Sequence, residues 1–260
     1  MNNSVTRRPS PLKVTLLKTG QTFDDLSPQR GCFEDWFSAI FGELVGEWEV
    51  VRAHQGEPLP PASAVEAVVV SGSPASVYER EAWSEASAAW LAEVIARDVP
   101  VLGVCYGHQL IAHALGGEVR RSPQGREMGA VEIERLDMRE GEGEGDPIFE
   151  GLPPRFSVWQ SHMDEVSVAP PGAKVLARNE HTAVQAMAGG ERCRTIQWHP
   201  EFDAEIARHY IRARAHLIDA ERGEGAAAAL ELTQPAALTS GATITRNFAL
   251  RWLGASEGLE

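Results

Sequence analysis

The chain is short of the features that mark secreted, membrane-bound or nucleic-acid-binding proteins. Its 260 residues hold three cysteines, Cys32, Cys105 and Cys193, which lie far apart. They form no CxxC pair and cannot all pair with one another, so no zinc cluster or dithiol site is spelled out and each is judged alone. Cys32 and Cys193 read as small apolar residues. Nowhere do about 18 apolar residues follow one another, and the N-terminal MNNSVTRRPSPLKVTLL has only a short apolar run, so neither membrane insertion nor export is signalled and the cytoplasm is expected. Positive charge is scarce: 24 Lys and Arg stand against 37 Asp and Glu, for a net charge of -13. A phosphate backbone or an anionic lipid surface would be repelled, which excludes nucleic acid and membrane as partners. A GxxxxGK(S/T) phosphate loop is also absent.

What is present is an alternation of short apolar runs and helical spacings. Residues 12–17 and 47–53 read as strands, 33–44 as a helix, and 66–71 (EAVVVS) as a strand covered on both faces. Residues 83–97 read as a helix, 99–104 as another buried strand, and 106–115 as a helix stopped by Gly116 and Gly117. This succession predicts an α/β fold with an open, mostly parallel twisted sheet and helices on both faces. Beyond Glu118 the pattern turns to β segments at 128–136, 156–161, 174–178, 182–187 and 194–198, interrupted by a charged, Gly-rich loop at 138–147. One helix is expected over 203–220 and a last one near 244–253. Residues 223–240 carry no function in this reading. The expected organisation is a flexible tail at 1–11, one domain over 12–205, and a C-terminal helical extension, 206–260, packed on that domain.

Chemistry concentrates in three places. Gly103-Val104-Cys105-Tyr106-Gly107 stands where a buried strand turns directly into a helix, the nucleophile-elbow pattern with cysteine in the serine position. A helix N-terminus there favours thiolate over thiol. A core cysteine between packing glycines is the alternative. His199-Pro200-Glu201 ends the last strand-like run, at the sheet edge where the Cys105 turn also lies, so His199 can serve as base with Glu201 as its orienter. Ser71-Gly72-Ser73-Pro74 is a glycine turn after EAVVVS that can offer N–H groups to an oxyanion, an ordinary turn being the alternative. His108 and His113 lie five apart on one helix, which splays them, so no metal site is expected. Arg120, Arg121 and Arg126 read as a solvated face.

The segments GVCYGHQL (103–110), QWHPEF (197–202), SGSPASVYE (71–79) and VWQSHMDEV (158–166) resemble the class I glutamine amidotransferases, most of all the amidotransferase half of GMP synthetase and its free-standing relatives. The resemblance covers residues 12–205. It implies a flavodoxin-like fold with a small β subsheet, no cofactor, Cys105 as nucleophile, His199 as general base and acid, and Glu201 as orienter. It further implies oxyanion donors at Gly72 and Tyr106, and substrate contacts from Gln109, Ser161 and His162 with Asp164 as support. Ser73 replaces a second glycine usual in the family, which removes the freedom expected of that loop, and the SGGVDS loop of the synthetase half is missing. The implied function is hydrolysis of a γ-glutamyl amide, of glutamine or a related compound, with ammonia passed to a separate synthase subunit. Two alternatives remain, a free-standing γ-glutamyl peptide hydrolase and a non-catalytic regulatory homologue.

Overall fold

A computed structural model of the protein describes residues 12–136 and 145–255. Five strands fall in the first half: β1 (Lys13–Lys18), β2 (Glu47–Arg52), β3 (Ala67–Val70), β4 (Val101–Val104) and β5 (Glu118–Arg121). Six follow: β6 (Glu127–Arg135), β7 (Arg155–His162), β8 (Asp164–Val168), β9 (Lys174–Arg178), β10 (Ala186–Ala188) and β11 (Cys193–Ile196). The helices are α1 (Ser27–Arg30), α2 (Phe33–Phe41), α3 (Ala82–Ala96), α4 (Tyr106–Ala114), α5 (Ala204–Ala213), α6 (Ala215–Arg222), α7 (Ala226–Leu232) and α8 (Ser240–Trp252).

Among the described residues, nine strands form one sheet in the order β2-β1-β3-β4-β11-β10-β9-β6-β7, and β5 with β8 forms a separate two-stranded antiparallel sheet. Strands β2, β1, β3, β4 and β11 run parallel, and the remainder of the large sheet is antiparallel. The parallel strands at the centre are short and buried because alternate side chains enter two different cores. Leu16 and Val69 join the aromatic residues of α2 and α8, whereas Leu17, Val68 and Val70 meet Leu91 and Val94 of α3 and Leu110 of α4. A strand with apolar residues at every position needs such cover on both faces. No helix among the described residues is long and apolar enough to cross a membrane.

Several details differ from the sequence expectation. The strand expected at 182–187 is reduced to β10, because the Asn179 side chain accepts the backbone N–H of His181 and Thr182 and folds 179–182 into a turn. The helix expected over 203–220 is broken at Arg214 (φ -106°, ψ 13°) into α5 and α6. Residues 226–232, an Ala-rich part of the unassigned 223–240, form α7, as strong helix formers do once packed. Strands β5 and β8 were not among the expected segments. The tail at 1–11 and most of the loop at 138–147 lie outside the described residues.

The sheet positions the site. The carboxyl ends of β1, β3, β4 and β11 converge, and the turns that follow them carry residues 19–24, 71–74, 105 and 197–201. Such convergence is where ligands sit in open α/β sheets.

Candidate active site

Cys105 leaves β4 and starts α4 with φ 53° and ψ -104°, a left-handed backbone that a residue bearing a Cβ adopts only under constraint. The constraint is visible on both sides. A Cβ at Gly103 would stand 2.6 Å from Ile111 Cδ1 and 2.8 Å from the Gly107 carbonyl, and one at Gly107 would stand 2.6 Å from the Val70 carbonyl. Both glycines let strand and helix approach until the Cys105 N–H reaches the Ile196 carbonyl (2.9 Å) and the Gly107 N–H the Ser71 carbonyl (3.2 Å). The thiol is thereby presented at the sheet edge, over the N-terminus of α4.

His199 faces it. Its Nδ1 is 2.7 Å from Glu201 Oε1, both side chains are buried, and the ring stacks on Phe202 with centroids 4.1 Å apart. Burial pushes the imidazole down, but the Glu201 carboxylate and the Cys105 sulfur together outweigh burial and raise it to about 10. His199 is therefore held as an imidazolium between the Glu201 carboxyl group and the Cys105 sulfur. Its backbone is fixed as well, since the His199 N–H donates to the Trp159 carbonyl at 2.9 Å.

The turn after β3 closes against this pair. A Cβ at Gly72 would come within 2.9 Å of His199 Cε1 and 3.7 Å of Cys105 Cβ, so only glycine fits. The Gly72 carbonyl accepts from Thr19 Oγ1 (3.1 Å) and Ser71 Oγ (3.0 Å), and Thr19 also binds the Ser71 carbonyl at 2.9 Å. Turning the 72–73 peptide over would break two hydrogen bonds. Tyr106 is the first residue of α4, whose N–H has no partner within the helix.

Cys105 and His199 line a cavity of about 290 Å³ together with Ser73, Pro74 and Ser161, and with Gln21, Thr22, Phe23, Asp24, Phe33, Tyr210 and Arg214. Of the substrate contacts implied by the resemblance, the structure brings Ser161 to this cavity, with its hydroxyl buried and unpartnered. The others lie behind the lining. Gln109 ties the Asp164 carbonyl (2.9 Å) to Gln197 (3.0 Å). His162 joins Glu127 (2.8 Å) to the Asp164 carbonyl (2.9 Å). Asp164 accepts from Ser76 (2.6 Å) and Tyr78 (3.1 Å). His108 bridges Thr195 (2.7 Å) and the Val184 carbonyl (3.1 Å), and burial pushes it down to about 3.

Four residues around the site escaped the sequence reading. Thr19 anchors the 71–73 turn. Gly241, on α8, has no room for a Cβ because the Pro200 carbonyl occupies that place, so α8 braces the segment between His199 and Glu201. Tyr210 and Arg214 form the far wall; their i, i+4 spacing, which puts both on one helix face, was the available signal.

A profile of the family described as glutamine amidotransferase class-I matches residues 39–216. The glutamine-hydrolysing GMP synthase of Aeropyrum pernix is 46% identical over 146 residues, 56% of this chain and 25% of that protein. A shorter relative, named as one subunit of the glutamine-hydrolysing GMP synthase of Thermococcus kodakarensis, is 50% identical over 126 residues, 46% of this chain and 63% of that one. The match thus spans about a quarter of the full-length synthase. Among solved structures, a glutamine amidotransferase from Methylobacillus flagellatus has a TM-score of 0.65 at 26% identity, covering 95% of this chain and 96% of that one. A glutamine amidotransferase from Thermotoga maritima has the same fold, with a TM-score of 0.66 at 19% identity over 94% of this chain and 99% of that one.

Proposed function

The chain belongs to the class I glutamine amidotransferase family, and from that premise we propose that it hydrolyses the side-chain amide of glutamine through a thioester on Cys105 and releases ammonia for a separate synthase subunit. The single observation that carries this is the strained Cys105 at the start of α4, facing a buried imidazole that Glu201 holds at 2.7 Å. A cysteine so placed, beside an imidazole, is set for attack on an electrophilic carbon.

The sequence of events follows from the resting charges. The Cys105 sulfur attacks the amide carbon, and the carbonyl oxygen takes up the negative charge, facing N–H groups at Gly72 and Tyr106. The His199 imidazolium gives its proton to the departing nitrogen, ammonia leaves, and a thioester remains. Neutral His199 then takes a proton from water, the hydroxide adds to the thioester, and the sulfur departs as glutamate is released. Glu201 stabilises the imidazolium at both ends of the cycle and fixes which ring nitrogen faces the sulfur.

The names of the relatives support the recipient of the ammonia: proteins named as one glutamine-hydrolysing subunit of GMP synthase imply that another subunit uses what they release. The acidic composition and three unpaired cysteines support a cytoplasmic location. We read 206–255 as part of the same unit, because Tyr210 and Arg214 enter the cavity and α8 braces Pro200.

The test is glutamate release by the purified protein from glutamine and from a γ-glutamyl dipeptide. Hydrolysis of glutamine, quickened by a synthase subunit, is expected. Hydrolysis of the dipeptide alone would replace this reading with a γ-glutamyl peptide hydrolase, and hydrolysis of neither would replace it with a binding protein.

A further inference from the structure

Arg214 has a position that the reaction above does not use. Its guanidinium lies 4.8 Å from the Phe23 ring centroid and 4.9 Å from that of Tyr210, so two aromatic faces hold it against the cavity wall. Cation–π contact fixes a cation without neutralising it. Among the described residues no carboxylate pairs with it, and its Nη1 is buried with no hydrogen-bond partner. Burial pulls this arginine below its ordinary range, while the Cys105 sulfur and the Tyr210 phenol act in the opposite sense. The nearby Arg126 acts on it in the same sense as burial, although Glu221 faces that second guanidinium at 3.8 Å.

Arg214 is half-buried, and a guanidinium with one buried, unbonded nitrogen and no carboxylate partner is a site that an anion would stabilise. The cavity offers little choice of what that group is. Apart from Cys105 and His199, the charged residues lining it are Arg214 and Asp24, on the wall formed by residues 21–24 and 210–214. Cys105, Ser73 and Ser161 form the other wall. A volume of about 290 Å³ lies just below the ~300–1,000 Å³ usual for drug-sized ligands, the scale of a single amino acid. A guanidinium matches a carboxylate in two parallel hydrogen bonds, and an aspartate accepts from an ammonium.

We propose that Arg214 is the receptor for the α-carboxylate of the γ-glutamyl substrate, with Asp24 receiving its α-ammonium, so that the zwitterionic head is held on the far wall while the amide reaches Cys105. The break between α5 and α6 at Arg214 then has a use: the helix stops where its side chain must enter the cavity. This rests on the amide-hydrolase reading above and specifies what that hydrolase recognises.

The test compares glutamine with γ-aminobutyramide, which lacks only the α-carboxylate, and with glutaramate, which lacks only the α-ammonium. The wild type should prefer glutamine to γ-aminobutyramide in kcat/KM, and Arg214→Met should lose that preference by roughly 10- to 100-fold, chiefly through a higher KM for glutamine. Arg214→Lys should recover part of it. Asp24→Asn should reduce the preference for glutamine over glutaramate instead. A variant that slows glutamine and γ-aminobutyramide by the same factor would show that Arg214 only supports the wall, and would overturn the proposal with the hydrolase reading intact. A wild type that hydrolyses none of the three would sink both. If Arg214→Met does not fold, phenylglyoxal on the wild type decides. Glutamate should protect Arg214 from modification and γ-aminobutyramide should not; equal protection by both would contradict the assignment.

Discussion

The two walls of the cavity are built on different principles. On the reacting wall, Cys105, Gly72 and His199 are placed by backbone: a left-handed φ, glycines with no room for a Cβ, and carbonyls tied by short hydrogen bonds. On the far wall, Arg214 and Tyr210 are placed by side chains, through the contact of the guanidinium with the rings and the Thr22–Tyr210 hydroxyl contact at 2.9 Å. Bond making tolerates little displacement, so the reacting wall is attached to the sheet itself. Recognition of a charged head group is satisfied by a long, adjustable side chain. Changes on the first wall should therefore act on kcat, and changes on the second on KM.

The largest effects should come from the reacting wall. His199→Ala removes both base and acid and should lower kcat by on the order of 10⁶-fold, whereas Glu201→Gln keeps a side chain that can orient the ring and should cost roughly 10⁴-fold, as in other triads. Steady-state glutamate release measures both, and equal activity of His199→Ala and wild type would remove His199 from the mechanism. Gly72→Ala is the sharper probe. Its methyl group would stand 2.9 Å from His199 Cε1, so kcat should fall by roughly 100- to 1000-fold, the loss expected when oxyanion stabilisation fails. KM and melting temperature should change little, and a KM defect would break the division between the walls.

These two predictions also separate what could be read from the chain and what could not. The Cys105 elbow was legible because its parts are adjacent: a buried strand, small residues on both sides and a helix at once. His199 and Glu201 were legible for the same reason, with Pro200 between them. The far wall was not, because residues 21–24 and 210–214 meet only after the sheet has formed, and the i, i+4 spacing of Tyr210 and Arg214 does not record that Phe23 faces them. Thr19 and Gly241 were hidden likewise, one a hydroxyl after the first strand, the other a missing Cβ on the last helix. The small sheet was implied by the resemblance, but its strands β5 and β8 could not be placed, because these pairing partners are separated by two other strands and the loop between them.

The smallest effect should fall outside both walls. His108 is buried and pushed down to about 3, from an ordinary value of 6.5. Between those values the unfolded chain binds a proton that the folded protein refuses, so stability falls as pH falls through that window. From pH 7.5 to 5 this should remove about 2 kcal/mol from the wild type but not from His108→Gln. Urea unfolding at the two pH values checks it: the stability gap between the proteins should narrow by that amount in acid, with kcat at pH 7.5 altered far less than in Gly72→Ala.

The central claim is that the backbone of the reacting wall presents one activated thiol to substrate. Its rivals are Cys32, buried at the start of α2, and Cys193, whose thiol burial pushes up to about 12. Incubation with diazo-oxo-norleucine, an electrophilic glutamine analogue, followed by peptide mass spectrometry tests this most directly. A single adduct on Cys105 is expected, formed at a rate matching the loss of activity and slowed by glutamine. An adduct on Cys32 or Cys193, or inactivation with Cys105 unmodified, would contradict it.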